Sequence, residues 1–205
     1  MPRPSREAEI LGAALVCFAE RGYDATRVRH IAERAGVSEA ALYRHHPSKE
    51  AVGLALFATH MRRYADILET VADDPSRSTQ ERVKGLVHTA LQARRTDPTA
   101  HTFVLGHQQR FLSALPADFP YPIRILDRLI NEGQADGTIK PGPVRVLSAL
   151  VLGCMNQPAI VAQHAAEGTI DLDDPGTVDL IADGAWAAIA ATPLEVDRLP
   201  QATGR

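Results

Sequence analysis

Apolar residues near the start of the chain recur with the period of an α-helix. Leu11, Ala14, Leu15 and Phe18 follow the i, i+3, i+4, i+7 spacing that places side chains on one face of a helix. Gly22 follows, and glycine supplies the backbone freedom with which helices commonly end. The pattern therefore predicts a first helix that buries one face and stops just before Gly22.

The same spacing returns directly afterwards and predicts a second, shorter helix. Its apolar positions are Val28, Ile31, Ala32 and Ala35. Thr26 is placed to cap the start of this helix, and Gly36 suits the left-handed turn that would end it. Ser38 is a good N-cap for a third helix over residues 39–45. Two short helices joined by a tight turn are typical of the helix-turn-helix, whose second helix enters the major groove of DNA.

The rest of the chain also reads as helical. Pro47 ends the third helix, and Ser48 caps a fourth that runs to about residue 72. Further helices are predicted between Pro, Gly and Asp breakers, at 79–96, 99–115, 120–136, 143–167 and 175–192. No alternating strand pattern is present. We therefore expect an all-α fold, which divides into three parts: a three-helix helix-turn-helix domain (1–50), a C-terminal helical domain for ligand binding and dimerisation (51–192) and a tail (193–205).

One set of residues in the first quarter of the chain is distinctive in its order and spacing. The set comprises 10–18, Gly22-Tyr23, Thr26, Ile31-Ala32, 35–38, 42–45 and 48–50. Because of these residues, the segment 10–57 resembles the DNA-binding domain of the tetracycline-repressor (TetR) family of bacterial transcription regulators. The resemblance implies a cytoplasmic homodimer that binds double-stranded DNA at a palindromic operator. It also implies a small-molecule effector bound by the C-terminal domain.

The chain departs from the usual family pattern at two positions. The family usually has a glycine or another small residue near position 40 and a phenylalanine at position 46, where this chain has Ala40 and His46. Alanine is a mild change. The imidazole of His46 is expected to be partly exposed or hydrogen-bonded to a backbone carbonyl, because an apolar ring usually packs there.

The resemblance and the predicted geometry together give a set of candidate DNA-binding residues. They are Thr26, Arg27, Arg29, Glu39, Ala40, Tyr43, Arg44, His45 and Lys49. The resemblance assigns phosphate contacts to Tyr43 and Lys49, and to Thr26 and Arg27 at the start of the second helix. The N-terminus of the fourth helix adds its dipole and free N–H groups.

The remaining candidates have more than one interpretation. Arg29 and Arg44 can each bond guanine bidentately or bind a phosphate. Glu39 either accepts a hydrogen bond from cytosine or stabilises the dipole of its own helix as the first helical residue, and we favour the second. Ala40 permits close approach, and His45 supplies a polar tip.

Charge and composition change this picture only slightly. The net charge of −3 opposes DNA binding, but residues 1–49 carry eight Lys and Arg against six Asp and Glu. A hydrophobic fraction of 45% over 205 residues indicates a globular protein. No apolar run approaches the ~20 residues of a membrane span, and no apolar leader follows the first charges, so we expect no membrane partner. Cys17 and Cys154 lie in apolar patterns and are expected to be reduced and buried.

The last two predicted helices carry stripes of apolar residues, many of them small. The stripes comprise Leu147, Leu150, Val151, Cys154, Val178, Ile181, Ala182, Ala185, Ala188 and Ile189. In the TetR family the corresponding pair of helices packs against its copy as a four-helix bundle. Part of each stripe also suits an ordinary core within one chain, and the pattern does not divide the two.

A candidate ligand site combines residues of two helices. Phe103, His107 and Phe111 are one turn apart and form an apolar face with one polar handle. In the penultimate helix, Pro158 predicts a kink that frees the carbonyl of Cys154, with Asn156 and Gln157 beside it. An effector that is apolar or aromatic and carries one polar group would suit Phe103, His107, Phe111, Cys154, Asn156 and Gln157. The alternative is a core with one hydrogen-bonded histidine.

No motif indicates an enzyme, a metal or a cofactor. His101 and His107 lack the spacing of a helical zinc pair, and the chain has no nucleophile elbow, P-loop or dinucleotide fingerprint. The expected function is therefore a ligand-responsive regulator, most simply a repressor that its effector releases from the operator. The alternative is a helical protein-interaction module whose helix-turn-helix no longer binds DNA.

Overall fold

The computed structural model describes residues 5–164 and 170–191. Within these residues the chain forms nine α-helices and one short 3-10 helix. The α-helices are α1 (Arg6–Arg21), α2 (Val28–Arg34), α3 (Glu39–His45), α4 (Lys49–Ala72), α5 (Thr79–Thr96), α6 (Pro98–Phe111), α7 (Pro122–Ala135), α8 (Val144–His164) and α9 (Pro175–Ala187). The 3-10 helix, Leu112–Ala114, follows α6 directly. The all-α expectation is confirmed.

Serine hydroxyls begin the two helices around the predicted recognition element. The Ser38 Oγ accepts the backbone N–H of Ala41 at 3.1 Å, and the Ser48 Oγ accepts that of Ala51 at 3.1 Å. Each bond satisfies one of the free amides at a helix N-terminus. Both predicted caps are therefore confirmed, and they set the starts of α3 and α4.

Thr26 does not cap α2, so that prediction is wrong. Its hydroxyl donates to the backbone carbonyls of Cys17 at 3.1 Å and Gly22 at 2.7 Å, and the residue is buried. The N-cap is Arg27, whose N–H is accepted by Nδ1 of His30 at 3.1 Å. Thr26 instead holds the start of α2 against the C-terminal end of α1.

The C-terminal end of α9 is the main departure from the predicted helices. The helix ends at Ala187, and a single antiparallel bridge pairs Ile139 with Ala190. The N–H of Ala190 still donates to the carbonyl of Trp186 in α9 at 2.8 Å, but the N–H of Ala191 donates to the carbonyl of Thr138 at 2.9 Å, so the chain leaves the helix and bonds to the segment after α7. The helix α8 continues past Pro158. The predicted helical residues 165–167 and the tail 193–205 lie outside the described residues.

Buried apolar side chains form two clusters, and α4 belongs to both. The N-terminal cluster joins α1–α3 and the first half of α4, including Phe57, to aromatic residues from the middle of the chain. The second half of α4, including Leu68, packs in a C-terminal cluster with α5 and α7–α9. The predicted division at residue 50 falls at the start of α4, so one helix links the two parts.

One stretch of α8 is more apolar than expected from the sequence. Val144–Ala162 has a mean hydropathy of 1.5 and is long enough to cross a membrane by length and composition. The expectation that no run approaches this length is therefore wrong. Only 28% of the most apolar window is buried within the chain. The same composition also suits a helix that a second polypeptide covers.

Gly53 provides a test of how tightly α4 packs in the N-terminal cluster. A Cβ at this position would lie 2.7 Å from the Phe111 ring and 2.9 Å from the Tyr23 ring, whereas one at Gly12 would meet nothing within 4 Å. We expect Gly53→Ala to lower the free energy of unfolding by about 1–3 kcal/mol, because overpacked rings must shift. Gly12→Ala should raise it by up to about 1 kcal/mol, because alanine favours a helix.

Both glycine variants are compared with the parent chain by urea denaturation at one protein concentration. Equal effects of the two substitutions would contradict the close approach of the rings to Gly53.

Candidate DNA-binding surface and internal cavity

The helix α3 is held by one buried side chain and exposes most of the others. Leu42 has no exposed surface and lies in the N-terminal cluster. The exposed residues are Glu39, Ala40, Tyr43, Arg44 and His45. All five belong to the predicted DNA-binding set, and α3 presents them together.

The turn before α3 has the backbone conformation that the sequence predicts. Gly36 has φ +64°, in the left-handed region that favours glycine. The N–H of Val37 donates to the carbonyl of Ala32 at 3.0 Å, which closes the end of α2. The turn therefore sets α3 across α2 in the helix-turn-helix arrangement.

The candidates at the start of α2 separate into exposed and buried groups. Arg27 and Arg29 are exposed beside α3. The guanidinium Nε of Arg29 lies 3.5 Å from Nε2 of His30. Thr26 is 1% exposed and its hydroxyl donates to carbonyls of the protein, so its side chain does not reach a phosphate in this arrangement. Its assignment as a side-chain phosphate contact is corrected.

Lys49 has partners within the protein that the sequence did not predict. Its Nζ donates to the backbone carbonyls of Tyr23 at 2.9 Å and Asp24 at 3.1 Å. The same ammonium lies 4.7 Å from the centroid of the Tyr23 ring. Lys49 therefore ties the N-terminus of α4 to the turn between α1 and α2, and its phosphate contact stays a prediction.

His46 is buried, contrary to the expectation of an exposed or carbonyl-bonded ring. It is 6% exposed, and within the described residues its Nε2 has no hydrogen-bond partner. Burial lowers the pKa of His46, opposed by the Glu7 carboxylate, whose Oε1 lies 4.0 Å from Nε2. A neutral imidazole occupies this position and packs much as an apolar ring would.

The C-terminal part forms a cavity of about 620 Å³ that is partly open to solvent. Residues of α4–α6, α8 and α9 line it, together with the start of α7. Among the predicted ligand-binding residues, Asn156 is the one that lies in its wall. Histidines and tyrosines that the sequence reading missed also line it: His60, Tyr64, His88, His101 and Tyr121. The spacing of His60 and Tyr64, four residues apart on one helix, is the local pattern that could have indicated them.

Phe103, His107 and Phe111 do not line the cavity, so the structure does not bring these predicted ligand-binding residues together with Asn156. They lie on the opposite face of α6, where Phe103 stacks on Phe18 with ring centroids 5.5 Å apart. Tyr23 contacts His107 at 5.4 Å and Phe111 at 5.7 Å between centroids. The Nδ1 of His107 is 2.8 Å from the carbonyl of Phe103. The alternative of a core with one hydrogen-bonded histidine is the one the structure has.

Two further predicted ligand residues are also outside the cavity wall. Cys154 is half-buried and packs against the C-terminal cluster, and Gln157 is exposed. Both lie on other faces of α8 than Asn156. Cys17 is buried as expected, whereas Cys154, which was also expected to be buried, is partly exposed. Within the described residues there is no group of three or more side chains suited to a metal ion.

Burial favours the uncharged forms of two histidines and two tyrosines in the cavity wall. Burial, and then the nearby Arg94 guanidinium, lower the pKa of His101 to about 4. Burial also lowers the pKa of His60, although Asp97 opposes it. The pKa values of the Tyr64 and Tyr121 phenols are raised by burial. The inner wall therefore offers neutral hydrogen-bonding groups among apolar side chains.

The sequence of the helix-turn-helix part, and most of the chain with it, is similar to known transcriptional regulators. Residues 10–56 match the family described as bacterial regulatory proteins, tetR family. The HTH-type transcriptional repressor KstR2 of Mycolicibacterium smegmatis is 32% identical over 147 residues, which are 67% of this chain and 69% of that protein. The repressor AcnR of Corynebacterium glutamicum is 33% identical over 156 residues, 71% of this chain and 75% of that protein. This chain belongs to the TetR family. As a TetR-family protein it is a helix-turn-helix transcriptional regulator.

Solved structures extend the likeness of this TetR-family chain to its C-terminal part. FadR of Bacillus halodurans superposes with a TM-score of 0.70 at 22% identity, covering 89% of this chain and 95% of that one. FadR of Bacillus subtilis, in complex with stearoyl-CoA, gives 0.69 at 21% identity, covering 90% and 98%. Identities this low concern the fold. They show that the helix-turn-helix and the helical C-terminal part form one TetR-type architecture.

Tyr43 allows a direct test of the surface on α3. We expect Tyr43→Phe to weaken binding about two- to tenfold on every DNA sequence, because one phosphate hydrogen bond is lost. The salt dependence should not change, because no charge is removed. Affinity is measured by fluorescence anisotropy at several salt concentrations.

The matched control is Tyr121→Phe, which removes a phenol from the C-terminal part. An unchanged DNA affinity of Tyr43→Phe would remove Tyr43 from the set of phosphate contacts.

Proposed function

We propose that this TetR-family regulator is a homodimeric repressor that leaves a palindromic operator when a small molecule fills the cavity. The observation that carries the proposal is the position of α6. One of its faces, including His101 and Gln108, lines the cavity, while Phe103 and Phe111 on another face pack in the N-terminal cluster. A ligand that moves α6 therefore acts on the part of the chain that carries α3.

The exposed residues on α2 and α3 support DNA binding. Arg29 and Arg44 are exposed, and among the described residues neither forms an ion pair. By contrast, Arg34 is paired with Glu20 at 2.5 Å. Unpaired guanidinium groups beside a protruding helix suit phosphates or guanine. The helix-turn-helix part of one protomer contacts few base pairs. A two-fold dimer on a palindromic operator therefore accounts for sequence specificity better than a monomer does.

The apolar surface of α8 and α9 supports the dimer. Large apolar side chains are exposed there: Val146, Leu150, Ile160, Val161 and Leu180, the last with 72% of its surface exposed. Gly153 on α8 and Gly184 on α9 have no atoms within 4 Å of where a side chain would begin. Such a surface is costly in water and lets a partner helix approach closely.

Release by an effector requires two conformations that bind the ligand differently. The cavity lies between α4 and α6, and both helices also contact α1. A ligand that fits the cavity better when these helices shift would favour the shifted state. In that state the helix-turn-helix parts of the two protomers no longer match the spacing of successive major grooves. The stearoyl-CoA complex of the FadR of Bacillus subtilis supports a small-molecule effector for this architecture.

Selection of genomic fragments tests the operator and the dimer together. In the presence of random competitor DNA, the purified protein should enrich palindromic fragments at two protomers, or a multiple of two, per site. Leu180→Asp should produce monomers in sedimentation and lose this enrichment, because a buried carboxylate is costly at an apolar interface. Leu112→Asp, at an exposed leucine of the 3-10 helix, is the control and should stay dimeric.

Binding that is weak and equal on competitor DNA would instead favour the helical interaction module with a helix-turn-helix that no longer reads DNA.

Arg110 tests the connection between α6 and the DNA-binding part. Its guanidinium lies 3.3 Å from Asp24 and 3.7 Å from Glu50, and 4.7 Å from the centroid of the Tyr23 ring. We expect Arg110→Gln to keep operator binding but to need more effector for release, because α6 loses its polar link to the turn before α2.

The control variant is Arg128→Gln, which removes a similarly exposed arginine paired with Asp73 in the C-terminal part. Release is measured by anisotropy against effector concentration. Identical release curves for Arg110→Gln and Arg128→Gln would exclude Arg110 from the connection.

A further inference from the structure

Uncharged polar side chains from three parts of the chain meet at the cavity. His60 and Tyr64 lie on α4, Tyr121 immediately precedes α7, and Asn156 lies on α8. Within the described residues their side chains form no hydrogen bond. Their polar atoms are also not among the fully buried side-chain nitrogen and oxygen atoms that lack a hydrogen-bond partner. These atoms therefore remain accessible and available to a ligand.

Most of the charged side chains of the wall, and the imidazole of His88, already have partners within the protein. Arg95 Nε lies 3.0 Å from Asp173, and His88 Nε2 lies 3.3 Å from Asp179. The carboxylate of Asp97 accepts the N–H of Ala100 at 2.9 Å as the N-cap of α6. The side chains of Arg95 and His88 are each more than 40% exposed, so neither supplies a buried cation to a carboxylate held deep in the cavity.

Arg63 is the exception, and its position limits what it can bind. It lines the cavity, is exposed, and forms no ion pair with the described residues. An exposed guanidinium can bind an anionic group of a ligand at the outer edge of the cavity, where water screens the attraction between the two charges. The buried part of a ligand is left with phenols, an imidazole and an amide.

Tyr64 and Tyr121 decide which neutral group the site prefers. Burial raises the pKa values of both phenols, so each keeps its proton and donates. Neither phenol O–H donates to a group of the described chain, so a ligand that displaces water from the cavity has to supply the acceptor. Apolar neighbours such as Met61, Leu91 and Val104 line the same space.

We propose that the effector is a hydrophobic carbonyl compound whose uncharged oxygen accepts hydrogen bonds from Tyr64 and Tyr121. The identification of the cavity as the effector site rests on the proposed function. The acceptor is a ketone or ester oxygen buried among apolar walls, and the site discriminates against the carboxylate of the same chain length. The cavity volume of about 620 Å³ lies within the range of small-molecule pockets.

Three probes of equal chain length separate the contributions of shape, neutral acceptor and charge. Calorimetry at neutral pH compares 2-dodecanone, dodecane and dodecanoate on the full-length protein. The ketone should bind at least about tenfold more tightly than dodecanoate, since burying a carboxylate without a cation is costly. Dodecane lacks the acceptor, so it serves as the probe whose binding does not depend on a hydrogen bond from the phenols.

Removing single hydroxyl groups assigns the effect to the phenols. Tyr64→Phe and Tyr121→Phe should each weaken ketone binding about three- to tenfold and leave dodecane binding unchanged. The control is Thr59→Val on the same helix, whose hydroxyl donates to the Ala55 carbonyl outside this cavity, and it should not alter ketone binding. Thermal unfolding of each variant confirms that it folds.

Tighter binding of dodecanoate, equal binding of all three probes, or the absence of ketone binding would overturn the proposal. So would a ketone affinity that neither phenol variant changes. The ketone is then added to the operator complex. Ketone binding that depends on the phenols but does not release DNA would retain the ligand assignment and contradict the proposed release.

Discussion

The aromatic cluster around Tyr23 is the contact on which the rest of the architecture depends. Phe18 and Tyr23 come from the end of α1 and the turn after it, while Phe103, His107 and Phe111 come from one face of α6. Ring contacts of this kind are worth about 0.5–1.5 kcal/mol each beyond the apolar area they bury. This cluster joins the helix-turn-helix to the helices that surround the cavity.

Two cations complete this cluster from different directions. Lys49 and Arg110 each lie 4.7 Å from the centroid of the Tyr23 ring. Lys49 belongs to the helix that begins beside the recognition helix, and Arg110 to the helix that lines the cavity. At partly exposed sites such as these, a cation over an aromatic face is worth about 0.5–1 kcal/mol. One tyrosine therefore joins the starting point of α4 to the last turn of α6, and a displacement of either helix alters its contacts.

The parts of the fold that could be predicted from the sequence are those specified by neighbouring residues. Serine caps, a glycine with positive φ and helical periodicity act within a few positions, which is why α3 and α4 begin and end where expected. Thr26 was misassigned as a cap because its hydroxyl donates to the carbonyls of Cys17 in α1 and Gly22 just after it, and a linear pattern does not reveal these contacts. The end of α9 was missed for the same reason, since its bonding partner follows α7.

The residues that line the cavity could not be predicted from the sequence for a different reason. The periodicity of α6 identifies an apolar face at Phe103 and Phe111, but it does not say whether that face meets a ligand or another helix. The opposite face lines the cavity, together with His60 and Tyr64 from α4. These side chains are distant in sequence and become neighbours only through the packing of α4 against α6.

The way α3 is anchored has a consequence for the evolution of this regulator. Leu42 is its one fully buried side chain, and the neighbouring exposed positions make little contribution to the core. Substitutions at those positions therefore change what the helix recognises with small cost to folding, since surface changes away from special features are usually within about 0.5 kcal/mol. Duplicated copies of such a gene can diverge in DNA preference while the scaffold and its sensing cavity are inherited intact.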